Sequence, residues 1–134
     1  MADELADAAL TARDSAYAPY SRFAVGAALR TDAGMVHAGC NVENAAYPEG
    51  TCAEAGAIAA MVLAGGRRIA ELVVAGAGDA PCTPCGGCRQ KLREFGVAET
   101  LVRVVDDGGA ELLRITLAEL LPHAFGPENL AARA

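Results

Sequence analysis

Thr51-Cys52-Ala53-Glu54-Ala55-Gly56-Ala57-Ile58-Ala59-Ala60-Met61-Val62-Leu63 is the stretch that decides the fold. Thr51 can cap a helix that Gly65-Gly66 would end. The helix between them is small and apolar almost all round, and such helices are normally buried on every side. Working outward, residues 24–30 and 35–42 read as two strands joined by a turn around Asp32-Ala33-Gly34. Beyond the helix, residues 72–75 read as a buried strand, followed by a loop over residues 76–83. A further helix runs over residues 85–95, with Pro84 at its entrance and Gly96 past its end. Residues 101–105 and 111–115 form two more strands around Asp106-Asp107-Gly108-Gly109. Thr116 then caps a short helix over residues 117–121 that Pro122 stops.

The chain opens on a helix over residues 3–16, with Leu5, Ala8, Ala9 and Ala12 on one face, broken at Tyr17-Ala18-Pro19-Tyr20-Ser21. Strands alternating with helices predict an α/β fold, a three-layer α-β-α sandwich around a central mixed sheet. With 134 residues, the expectation is one domain over residues 1–134. A domain this small has trouble covering both sides of a central apolar helix, which predicts a homo-oligomer with contacts close to that helix.

Composition narrows the function. The formal net charge is −6, and Arg67-Arg68 is the longest basic cluster. An acidic chain repels phosphate backbones, so nucleic acid is not an expected partner. Residues 55–66 are too few to cross a bilayer, which takes about 20, and no membrane association is expected. The first residues are acidic where an export signal is basic, so a cytoplasmic location is expected. Five cysteines without such a signal point to metal or catalysis rather than to disulfides.

Two cysteine groups carry the chemistry, Cys52-Ala53-Glu54 and Pro84-Cys85-Gly86-Gly87-Cys88. Both fall at helix starts, where the dipole and free amides stabilise thiolates. Cys85 and Cys88 stand three apart and share a helix face, so they can grip one ion, and Cys52 completes the set. A zinc ion with three protein ligands keeps a fourth position for water, and it lowers that water's pKa towards neutrality. Glu54, beside the first thiolate, is suited to move protons. Cys82 forms a second C-x-x-C with Cys85, so a closed structural site of Cys52, Cys82, Cys85 and Cys88 is a rival, and a dithiol redox pair a weaker one. Against the closed site, Cys82 lies before Pro84 in an extended loop, and a structural site has no use for a carboxylate such as Glu54 beside its first ligand. Cys40 reads as a small buried hydrophobe, and His37 and His123 lack companions at ligand spacing.

With these residues in hand, the chain resembles the cytidine deaminases of the short, homotetrameric, zinc-dependent type. A His or Cys two residues before a Glu, followed later by P-C-x-x-C, is the zinc deaminase signature. The resemblance also rests on Tyr20-Ser21-Arg22-Phe23-Ala24-Val25-Gly26-Ala27-Ala28-Leu29, on Gly39-Cys40-Asn41-Val42-Glu43-Asn44-Ala45-Ala46-Tyr47, and on Leu120-Leu121-Pro122-His123-Ala124-Phe125. It implies one Zn²⁺ per chain on Cys52, Cys85 and Cys88, with Glu54 as the catalytic acid–base. It implies hydrolysis of cytidine, and of 2'-deoxycytidine, to uridine or deoxyuridine and ammonia, in pyrimidine salvage. Phe23, Asn41, Glu43, Ala53 and Phe125 are the implied substrate contacts. Asn41 and Glu43 would take the ribose 3'-hydroxyl, and Phe125 would reach the base in a neighbouring subunit. Tyr47 is assigned to the same shared boundary.

One departure stands out. The family often has arginine after the catalytic glutamate, where it offsets thiolate charge, and here that position is Ala55. The two helix starts and Arg89 are the expected substitutes. Relatives with alanine there include blasticidin S deaminases, which makes deamination of such a cytosine nucleoside the alternative reading.

Overall fold

The computed structural model describes residues 3–131. Helix α1, Glu4–Arg13, starts where the Asp3 carboxylate accepts the Ala6 amide at 3.1 Å. It stops short of the expected residue 16, because the amides of Asp14, Ser15 and Ala16 turn back to carbonyls only three residues earlier. Tyr17 then leaves the helix and pairs with Val42. Strands β1, Gly26–Thr31, and β2, Val36–Cys40, form the expected hairpin, with Gly34 at φ 85° in its turn.

Helix α2, Ala53–Leu63, is capped by Cys52 and not by Thr51, which instead pairs with Val42. Strand β3, Ile69–Ala75, begins three residues earlier than the sequence suggests. Glu71 hid that start; it is accommodated because its carboxylate accepts Arg103 Nε at 2.5 Å. Helix α3, Gly86–Phe95, leads to β4, Leu101–Val105, and β5, Glu111–Thr116. Helix α4, Leu117–Leu120, carries a complete capping box between Thr116 and Glu119. Helix α5, Pro127–Ala131, was not expected; Asn129 accepts the Gly126 amide at its start, and Glu128 pairs with Arg93 on α3.

The five strands lie in the order β2-β1-β3-β4-β5, with β3 and β4 parallel and every other pair antiparallel. Period-two alternation gives each strand two faces. Leu5, Ala6 and Ala9 of α1 pack on Ala28, Val73, Ala75 and Val105. On the opposite face Ala53, Ala57, Ile58 and Met61 of α2 and Leu92 of α3 pack on Ala27, Leu29, Leu72, Val74 and Val102. The result is a three-layer α/β architecture around a mixed sheet. Each fully buried Leu, Ile or Met contributes about 1.5–3 kcal/mol.

Gly39 sets the height of α2 over the sheet. A Cβ there would lie 2.4 Å from the Ala57 nitrogen and 2.7 Å from the Ala53 carbonyl oxygen. Strand and helix therefore meet backbone to backbone at the turn that follows Cys52. The helix is not covered on every side, as its apolar sequence suggested: Ala59 is exposed and Leu63 is 90% exposed. The sheet covers one side and α3 part of another, and among the described residues nothing covers the face that carries Ala59 and Leu63.

Candidate active site

Cys52 and Cys85 are each the residue at which a helix begins, and neither side chain closes a capping hydrogen bond. The two helix starts converge, so that Cys52 Sγ and Cys85 Sγ stand 3.9 Å apart, and Cys88 joins them with all three sulfurs within 4.8 Å of one another. Tetrahedral zinc with bonds near 2.3 Å needs sulfurs about 3.8 Å apart, and the donor set fits it. Among the described residues Cys82, Cys40, His37 and His123 lie outside this cluster, so the four-cysteine alternative is not the arrangement found. Cys82 is instead half-buried and lines the adjoining cleft.

The sulfurs differ in their electrostatics. Burial pushes the Cys52 and Cys88 thiols up, and nearby negative charge adds to this, from Cys85 and Glu54 at Cys52 and from Glu54 and Cys52 at Cys88. The Cys85 thiol is lowered, first by the Cys88 amide that faces it, although that contact is not good enough to count as a cap. A divalent cation lets all three ionise together. Glu54, in the first turn of α2, is buried, and burial raises its carboxyl above the usual range. The Cys88 thiol faces that carboxyl and acts in the opposite direction.

A cleft of about 340 Å³ opens onto these groups. Phe23, Asn41, Glu43, Tyr47, Ala53 and Glu54 all line it, beside Cys52 and Cys85. Asn41 and Glu43 lie past the end of β2, but Val42 bridges to Tyr17 and Thr51 and keeps the segment extended. Both side chains hold the facing loop. The Glu43 carboxylate accepts the Tyr20 and Ser21 amides at 3.0 and 3.1 Å and the Ser21 hydroxyl, which lowers its pKa. Tyr47 is 76% exposed and stacks edge-on against Tyr20, with centroids 5.8 Å apart. Phe125 is exposed and does not line the cleft of its own chain; its carbonyl accepts Gln90 Nε2 at 2.9 Å.

Arg89 does not point its charge at the sulfurs. Its Nε donates to the Pro84 carbonyl at 2.8 Å and a terminal nitrogen to the Leu120 carbonyl at 2.9 Å. It ties the turn before Cys85 to the C-terminal segment. Lys91 on α3, which the sequence reading passed over, lowers the Glu54 carboxyl slightly, far less than burial raises it. Its spacing of three from Cys88 was the available signal.

A thiolate zinc site in a layered α/β sheet, with a buried carboxyl at the metal helix, defines the class of zinc-dependent deaminase domains. The description "Cytidine and deoxycytidylate deaminase zinc-binding region" matches residues 1–104. A cytidine deaminase of Sporosarcina psychrophila is 42% identical over 92% of this chain and 90% of its own. One from Mycobacterium tuberculosis strain H37Rv is 43% identical over 91% of this chain and 87% of its own. The crystal structure of a Burkholderia pseudomallei cytidine deaminase superposes with a TM-score of 0.86 at 43% identity, covering 93% of this chain and all of that one. The chain belongs to the cytidine and deoxycytidylate deaminase family.

Proposed function

We propose that the chain hydrolyses cytidine and 2'-deoxycytidine to uridine or deoxyuridine and ammonia, as one domain acting in pyrimidine salvage in the cytoplasm. The observation that carries this reading is the buried Glu54 beside three clustered sulfurs at the floor of a nucleoside-sized cleft. Cys52, Cys85 and Cys88 would hold the zinc, which would supply the Lewis acidity that activates the attacking water. Glu54 takes a proton from that water and passes it to N3 of the base while the C4–O bond forms. The same carboxyl then carries the second proton to the departing amino group, and the C4–N bond breaks. A carboxyl raised by burial is suited to this exchange.

Asn41 and Glu43 at the cleft take the ribose 3'-hydroxyl, and a carboxylate there disfavours a phosphate on the same sugar. Phe23 and Tyr47 flank the nucleoside, and Ala53 forms part of the floor. The assembly is a homo-oligomer, in our reading a homotetramer, in which Phe125 reaches the base bound by a neighbour. The uncovered side of α2 and the exposed Phe125 support that reading. Ultraviolet assays with cytidine, deoxycytidine, cytosine and blasticidin S test it, together with metal analysis and sedimentation. Loss of cytidine absorbance with about one zinc per chain is the expected result. Turnover of blasticidin S alone would move the assignment to that substrate, and zinc without any turnover would reduce the site to a structural one.

A further inference from the structure

The Glu43 carboxylate is held by its own chain at three acceptor positions. Its Oε1 accepts the Tyr20 and Ser21 amides at 3.0 and 3.1 Å, and its Oε2 accepts the Ser21 hydroxyl. A carboxylate offers about four such positions, so one remains, on Oε2. The Ser21 hydroxyl is fixed from its other side. Its oxygen accepts the Phe23 amide at 3.0 Å, which leaves its hydrogen for Glu43. Asn41 is engaged in a similar way: Oδ1 accepts the Val25 amide, while Nδ2 gives one hydrogen to the Phe23 carbonyl at 2.8 Å and keeps the other. Asn41 and Glu43 both line the cleft that reaches Glu54. Together they present it with one spare donor and one spare acceptor. A hydroxyl group matches both; an ether, a hydrogen atom or a phosphate ester does not. Arg22, between Ser21 and Phe23, has φ 57°, a left-handed conformation that residues with a side chain seldom adopt. Such backbone persists where its surroundings over-determine it, here through the bonds of Glu43 before it and of Asn41 after it.

We propose that Ser21 is a positioning residue that orients Glu43 and thereby sets the cleft's selectivity for a nucleoside with a free hydroxyl on its sugar. Ser21 does not line the cleft itself; it lies behind Glu43, beside Tyr20 and Tyr47, and acts through the carboxylate. Without its hydroxyl, Oε2 would turn freely about the two amide bonds on Oε1, and the single acceptor direction left for the sugar would be lost.

This inference rests on the ribose placement proposed above, and the test separates the two. Steady-state kcat/KM on cytidine, 2'-deoxycytidine and 3'-deoxycytidine is measured for wild type, Ser21→Ala, Ser21→Thr and Glu43→Ala. The ratio between two nucleosides within one variant does not depend on how much of the sample is folded. Ser21→Ala should lose about tenfold on cytidine and 2'-deoxycytidine, mostly through KM, and less than about twofold on 3'-deoxycytidine. Ser21→Thr, which keeps the hydroxyl, should retain the wild-type ratio. Glu43→Ala should narrow the ratio at least as far as Ser21→Ala. An unchanged ratio in Ser21→Ala beside a narrowed one in Glu43→Ala would overturn the proposal alone. So would an equal loss on all three nucleosides, or a failure of threonine to rescue. A wild type that treats cytidine and 3'-deoxycytidine alike would sink the ribose placement and the proposal with it. A wild type without turnover would sink the proposed function and everything that rests on it.

Discussion

Asn41 holds Phe23 by its backbone: the side-chain amide donates to the Phe23 carbonyl at 2.8 Å while its oxygen accepts the Val25 amide at 2.9 Å. A residue assigned to the sugar thus also shapes the wall opposite. Asn41→Ala should raise KM at least tenfold and destabilise by about 1–2 kcal/mol, from two bonds worth about 0.5–1.5 kcal/mol each. Asn41→Asp keeps the acceptor for Val25 and should be less damaging to stability. Steady-state kinetics and thermal melts check this, and an alanine variant with unchanged KM and melting temperature would contradict it.

Glu54→Gln removes the proton carrier we propose and leaves the sulfurs in place. It should keep about one zinc per chain and lose about 10²–10⁴-fold in kcat for each proton transfer affected. Metal analysis and single-turnover assays on the same sample report the two quantities. Substantial turnover in this variant would take Glu54 out of the reaction.

Arg89 ties Pro84 to Leu120, and charge-assisted bonds of this kind contribute about 1.5–3 kcal/mol. Arg89→Ala should lower stability by about 1–3 kcal/mol and speed zinc loss through the loosened Cys85 turn. Lys at this position should not rescue, because one ammonium cannot reproduce the fork. Rescue by Arg89→Lys would return the residue to a purely electrostatic role.

Gly39 leaves no room for a methyl group against the backbone of α2. Gly39→Ala should cost about 1–3 kcal/mol by overpacking and should lower zinc content by moving Cys52 away from Cys85. Melting curves and metal content provide the check. Wild-type values for both would mean that the helix lifts freely from the strand.

Asp3 is held at about 2 by the Arg103 guanidinium, against an ordinary value of 3.8. Because the folded value lies below the unfolded one, this stabilisation is present above about pH 4 and is lost as pH falls through 2. With Asp3 42% exposed, screening limits it to about 1 kcal/mol. Asp3→Asn should flatten the acid limb of a stability–pH curve in that window. An unchanged slope would show that other carboxylates set it.

The layered architecture could be read from the sequence because apolar periods of 2 and 3.6 are local. The metal cluster could be read although Cys52 and Cys85 lie 33 residues apart, because both cysteine groups sit in motifs at helix starts. Distant partners that no motif marks could not be read. Glu71 looks like the end of a strand until Arg103, 32 residues later, accounts for it. Adjacency to Cys88 suggested that Arg89 serves the metal, but the rotamer aims at Pro84 and Leu120. Helix α5 is too short for its period to register, and its anchors, Arg93 and Asn129, are a tertiary contact and a turn.

Two helices here begin at residues whose side chains satisfy none of their free amides. A zinc ion held by Cys52 and Cys85 would therefore take over the ordering that a serine or aspartate gives other helices, and would do so for both at once. Stripping the metal should fray the first turns of α2 and α3 while the sheet stays intact. Amide exchange at Glu54 and Gly87 would then report occupancy without any substrate present.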